Sequence, residues 1–146
     1  MANDLATPWL HLHRFGWAAA LAIPGGLLGL WLGEVCGLQG EEWLSLPGGG
    51  AAGIGVGLLL AHACRARTAV HTVLRFAGAG AVVLGIPATV WLFLLAAEAR
   101  STGTFLAGLG ETLTAWLCVF AVASGAALWL AGWAGRNATA AATSPN

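Results

Sequence analysis

The sequence predicts an all-α polytopic membrane protein built as a four-helix transmembrane bundle. Three observations carry that expectation. Charged residues make up 8% of the chain and hydrophobic ones 58%, with a mean hydropathy of +0.80. Soluble domains carry about 25% charged residues, so a chain this poor in charge cannot cover a water-facing surface, and lipid must be its solvent. Four apolar runs, each near the roughly 20 residues that take a helix across about 30 Å of hydrocarbon, alternate with short polar stretches. Finally, the cations fall almost entirely in one set of those polar stretches, which predicts an orientation as well as a class.

In chain order, residues 1–14 are mixed and polar, with Asp4, Pro8, Trp9, His11, His13 and Arg14, and read as a cytoplasmic arm or short interfacial helix. The first span covers about residues 15–33. A secretory signal peptide would share its charged flank and apolar core, but Glu34-Val35-Cys36 offers no small-x-small cleavage site, so the run reads as a retained span. A loop at residues 34–46 carries Glu34, Glu41 and Glu42 and no cation. Pro47 opens the second span, residues 47–64. The central stretch, residues 58–76, holds Arg65, Arg67 and Arg75, half of the six cations, all of which are Arg. The third span covers about residues 76–97 and the fourth about 113–133, with an alternative start near residue 105 because residues 105–110 are also apolar. Residues 15–135 thus form the membrane domain. Residues 136–146 are mostly Ala, Thr, Ser and Asn and read as a disordered cytoplasmic tail.

Four spans place both termini on one side. Arg14, Arg65, Arg67, Arg75 and Arg136 fall on that side and only Arg100 on the other. The excess of Arg on cytoplasmic loops makes the protein N-in and C-in, and multi-pass in the cell's inner (plasma) membrane. The tryptophans agree: Trp9, Trp17, Trp129 and Trp133 map to the cytoplasmic interface and Trp31, Trp43, Trp91 and Trp116 to the outer one, where an indole keeps its ring in the acyl boundary and its N–H in water. The richness in Ala and Gly with no Lys suggests a high-GC bacterial source. A net charge of +0 argues against a nucleic-acid partner.

Small residues recur at helical spacing. Gly25, Gly29 and Gly33 form a row on the first span and Gly49, Gly53 and Gly57 on the second; Ala77, Ala81 and Gly85 follow on the third, and Ala123, Ala127 and Ala131 on the fourth. Spacing of four puts each set on one helix face and lets backbones approach closely, the main source of helix association in lipid. Such faces serve either the packing of one bundle or pairing with another subunit. Arg14-Phe15 with Ile23-Pro24, and Arg75-Phe76 with Ile86-Pro87, hint at a 2+2 hairpin pseudo-repeat. Pro24 and Pro87 lie about 14–16 Å from the cytoplasmic end at 1.5 Å per residue, near mid-membrane. They read as ordinary kinks, or as paired interruptions lining a transport site.

No Asp, Glu, Lys or Arg lies at the centre of any span, where proton-coupled carriers place an ionisable group. The one candidate carboxylate is Glu111: buried and functional if the fourth span starts at residue 105, or an exposed charge favoured by the helix dipole if it starts near Thr112. His13, His62, Cys64 and His71 map to the cytoplasmic face and are the candidates for a haem or metal, for example a bis-His haem between His13 and His62. Cys36, Cys64 and Cys118 contain no Cys-x-x-Cys, which argues against thiol-oxidising chemistry; buried free thiols are expected. No catalytic motif emerges. The expected role is a non-enzymatic, structural or accessory subunit that packs through its glycine faces with lipid, with other membrane subunits or with itself. An oligomeric channel or facilitative transporter and a haem-carrying electron-transfer anchor are the alternatives, and no resident cofactor is expected for the first two.

Overall fold

A computed structural model of the protein describes residues 2–37, 42–102 and 108–143. Among them are four helices and no strand: α1 (Ala2–Val35), α2 (Glu42–Cys64), α3 (Thr68–Thr102) and α4 (Leu109–Thr143). Each is long and apolar enough to cross a membrane, which is the architecture of a multi-pass membrane protein.

The helices are longer than the apolar runs. α1 has 34 residues and α3 and α4 have 35 each, or about 51–53 Å at 1.5 Å per residue, against about 30 Å of hydrocarbon. α1 therefore absorbs the expected N-terminal arm, with Pro8 inside it, and α4 runs through Arg136 to Thr143, where composition predicts a disordered tail. The reason is local: the tail is rich in Ala, the strongest helix former, and no Gly or Pro interrupts residues 136–143. α2 begins at Glu42, so Pro47 lies inside the helix rather than opening it. In water a helix carrying Gly48, Gly49, Gly50, Gly53, Gly55 and Gly57 would be weak, each Gly costing about 1 kcal/mol relative to Ala. In lipid the backbone has no water to bond to, and the helix becomes obligatory. Pro24 and Pro87 interrupt neither α1 nor α3.

Two glycines close the helix ends. Gly37 follows α1 with φ +73° and donates its N–H to the Glu34 carbonyl at 3.1 Å, while Cys36 donates to Leu32 at 2.9 Å, a left-handed cap suited to Gly. Gly108 precedes α4 with φ +76°, and its carbonyl accepts the Thr112 N–H at 3.0 Å. A side chain there would meet the Ala96 carbonyl of α3 at 2.6 Å. Arg100 then ties the end of α3 to the start of α4 through the Thr112 hydroxyl at 2.6 Å.

The helices pack as a row, α2–α1–α4–α3. α1 and α4 form the centre, and α2 and α3 flank it, each with one extensive neighbour. α2 and α3 leave the Arg65–Arg67 connection together, a link that reaches only about 14 Å, yet among the described residues they form no extensive contact with each other. At that end the chain converges. Away from it, one side of the row stays open between the two flanking helices.

Three seams of small residues hold the row. A Cβ added to Gly25 would sit 2.9 Å from the Gly53 Cα, one on Gly29 2.9 Å from the Gly49 Cα, one on Gly57 3.0 Å from the Ala18 Cα, and one on Gly33 2.9 Å from the Ser45 Cβ. The α1–α2 interface is thus backbone on backbone. Between α1 and α4, a Cβ added to Gly16 would sit 2.8 Å from the Ala131 Cβ; between α4 and α3, one on Gly125 would sit 2.6 Å from the Ala81 Cβ and one on Gly78 2.6 Å from the Trp129 backbone nitrogen. On these two helices spacing alone misassigns some members. Gly78 and Gly125 make the contact, whereas Ala77 and Ala123 are exposed.

Candidate functional site

The converging end carries the polar chemistry. Three i, i+4 pairs meet there: His13 and Trp17 on α1, His71 and Arg75 on α3, and Ala131 and Gly135 on α4. Spacing of four keeps each pair on one helix face. His13 and His71 are the two largest fully buried side chains among the described residues, each 1% exposed. Their rings touch edge to face, with centroids 5.1 Å apart and planes at 90°.

Each ring is anchored by one nitrogen. His13 donates its Nδ1–H to the Ala131 carbonyl at 2.7 Å, and His71 donates its Nε2–H to the Arg65 carbonyl at 3.2 Å. A carbonyl only accepts, so the bonded nitrogens carry the protons, and in the neutral rings the lone pairs fall on His13 Nε2 and on His71 Nδ1. Neither lone pair meets a hydrogen-bond partner among the described residues. The same is true of the donors Trp17 Nε1 and Arg75 Nε. Buried polar atoms are normally bonded, so this concentration of unsatisfied groups at one end of an otherwise apolar molecule marks the site.

α4 makes room for the rings with missing side chains. A Cβ on Gly135 would sit 2.6 Å from His71 Nδ1 and 2.9 Å from His13 Nδ1; one on Gly132 would sit 2.6 Å from the His71 carbonyl oxygen and 2.9 Å from Arg75 Cγ. Trp17, one turn further into α1, packs with Ala61 and Ala131, with Cys64 and Leu128 against them. Trp9 meets Trp133 edge to face at 4.9 Å, linking α1 to α4 at the same end.

The sequence candidates separate accordingly. His13 pairs with His71, not with His62, because His62 ends α2 with an exposed ring. Cys64 packs by the core cluster, and Cys36, Cys64 and Cys118 are all free. The residues present do not fit a bis-His haem: two imidazoles in contact, each with one nitrogen bound to a backbone carbonyl, leave no gap for a porphyrin between them. Among the described residues no group of three His, Cys, Asp or Glu side chains gathers at one point. Glu111 lies in the first turn of α4, half-buried, where the helix dipole favours a carboxylate. Pro24 and Pro87 are exposed and sit on α1 and α3, which α4 separates, so they do not face each other across an interior path. The alternative start of α4 at residue 105, the Trp43 side chain and residues 144–146 lie outside the described residues.

A cavity is joined to the histidine pair through Arg65, whose carbonyl His71 holds. It holds about 440 Å³ between Leu10 of α1, the α2 end with its connection, and the last turns of α4, and its polar groups are His62, Arg65 and Thr139. No protein-family model, no curated protein and no solved structure matches the chain.

Proposed function

We propose that the chain is a small integral subunit of the cell's inner (plasma) membrane, with both termini cytoplasmic, whose role is assembly rather than catalysis. It packs against other membrane-spanning chains, whether its own copies or different ones, through the outer faces of α2 and α3. The observation that carries this reading is the open row: among the described residues the two flanking helices share a short connection but make no extensive contact with each other, and each has one extensive neighbour.

The outer faces fit such a role. Phe76, Leu59 and Leu84 are 76%, 72% and 73% exposed. Apolar exposure alone is satisfied by lipid, so the small residues matter more. Gly48 and Gly55 on α2 and Gly80 on α3 face open space, with nothing within 4 Å of an added Cβ. A Gly in a helix interior is unfavourable by about 1 kcal/mol relative to Ala, and these three play no part in the internal seams. A second helix approaching closely, backbone to backbone, gives them a use. The orientation rests on Arg14, Arg65, Arg67, Arg75 and Arg136 at the converging end against Arg100 at the other. The α1–α2 and α3–α4 hairpins, each closed by a small-residue seam, fit a 2+2 pseudo-repeat.

The test is cross-linking in intact membranes. In a background without Cys36, Cys64 and Cys118, Leu59→Cys and Leu84→Cys should each give an oxidative or bis-maleimide adduct. Absence of any adduct at both outward positions would contradict the reading.

A further inference from the structure

The cavity that Arg65 joins to the histidine pair has the chemistry of an anion site at the edge of a bilayer. It lies at the level where two candidate spans end, since α2 stops at Cys64 and α3 starts at Thr68. Arg65, in the connection between them, is at headgroup depth when the spans occupy the hydrocarbon. α1 and α4 continue past that level, and Leu10, Ala138 and Ala142 form apolar walls beside the Arg65 and His62 side chains. The Thr139 hydroxyl is already committed to the Arg136 carbonyl at 2.8 Å, so the donors left for a ligand are the guanidinium and the imidazole.

The surroundings are cationic. Arg14, Arg67, Arg75 and Arg136 lie at the same end, where Asp4 also stands near the start of α1, while the carboxylates whose side chains are described, Glu34, Glu98 and Glu111, lie at the opposite ends of their helices. Among the residues whose side chains are described, no carboxylate lines the cavity. The connection is also held in place. His71 grips the Arg65 carbonyl, and Arg67 donates its N–H to the Cys64 carbonyl at 3.0 Å. A cation carried on a backbone held at headgroup depth, in a cavity with apolar walls that no described carboxylate lines, matches a molecule with a phosphate above an acyl chain.

We infer that this cavity binds the phosphate headgroup of an anionic phospholipid, with Arg65 as the principal contact and His62 as the second. The apolar walls favour the lipid over a free phosphate, because only the lipid gives Leu10 and the alanines something to cover. Zwitterionic lipids bind less well because they carry no net charge for Arg65 to offset.

The full chain in a mild neutral detergent tests this, by native mass spectrometry with added phosphatidylglycerol, phosphatidylcholine or inorganic phosphate. The wild type should retain phosphatidylglycerol in preference to phosphatidylcholine, and millimolar inorganic phosphate should not displace it. Arg65→Ala should weaken phosphatidylglycerol binding about five-fold or more, as expected when one basic residue near a membrane contributes about 1 kcal/mol. Arg67→Ala removes the same charge from outside the cavity and should change binding less than two-fold. Ala142→Trp keeps every charge but fills the cavity, and it should weaken binding as Arg65→Ala does. Equal losses for the two arginine variants, no preference for the anionic lipid, displacement by inorganic phosphate, or unchanged binding in Ala142→Trp would each overturn the assignment.

Discussion

His13 and His71 meet edge to face at 5.1 Å with both rings buried, and each spends one nitrogen on a backbone carbonyl of a third segment. The pair therefore joins four parts of the chain: α1 and α3 through the rings, α4 through the Ala131 carbonyl, and the α2–α3 connection through the Arg65 carbonyl. It is where the two flanks of the open row are tied together. Replacing either ring by Leu removes one hydrogen bond and leaves the partner ring without its contact. Each single variant should lose about 1–3 kcal/mol, read as a lower unfolding midpoint in detergent. The two rings act on each other, so His13→Leu with His71→Leu should cost less than the two single changes added, by about 0.5–3 kcal/mol. Strict additivity would mean that the rings touch without mattering to each other.

Gly135 supplies the space for both rings. Gly135→Ala puts a methyl group 2.6 Å from His71 Nδ1 and 2.9 Å from His13 Nδ1, and overpacking of this kind costs about 1–3 kcal/mol. Gly80→Ala, made where nothing lies within 4 Å, should be neutral within the chain or raise the midpoint slightly through better helix propensity. Circular-dichroism melts of the two variants in one detergent check the contrast.

The α1–α2 seam makes a matched case. Gly53 lies on the Leu21 and Ala22 backbone, with an added Cβ 3.3 Å from the Ala22 Cα, whereas Gly55 faces open space. Gly53→Leu should force the helices apart and lower stability by about 1–3 kcal/mol. Gly55→Leu should leave the melting midpoint of the monomer within error. Equal midpoints for wild type and Gly53→Leu would show that close helix contact is not what holds this hairpin.

Orientation is checked separately. A reporter fused after Asn146 should give a cytoplasmic signal, and single cysteines beside Glu34 or Glu98 should be labelled by membrane-impermeant maleimide from the outside. Labelling of those positions only after permeabilisation would reverse the map.

Much of the fold can be read from the sequence, because lipid imposes simple rules. Apolar length demands helices, and the rows Gly25, Gly29, Gly33 and Gly49, Gly53, Gly57 point to the faces that meet, since spacing of four leaves little else for glycine to do. The histidine pair is much harder to read. Four histidines near one end give six pairings, and which two face each other depends on the rotation of α1 and α3 about α4. That rotation is set by contacts as distant as His13 with Ala131, 118 residues apart. A usable signal was present in the i, i+4 pairing of each histidine with Trp17 or Arg75, and in Gly132 and Gly135 on a helix whose other small residues are mostly alanine. The C-terminal turns of α4 were hidden for another reason. Low hydrophobicity reads as disorder, but alanine needs no hydrophobic partner to favour a helix.

The central claim is that the open faces of α2 and α3 are covered by other membrane-spanning chains. Native mass spectrometry of the protein, excised with its surrounding bilayer in polymer nanodiscs, tests it most directly. The account predicts particles containing at least two polypeptides, one of them this 14.8 kDa chain, and dissociation when Gly55→Leu and Gly80→Leu are combined. A single copy of the chain with lipid alone, in the wild type and the double variant alike, would contradict it.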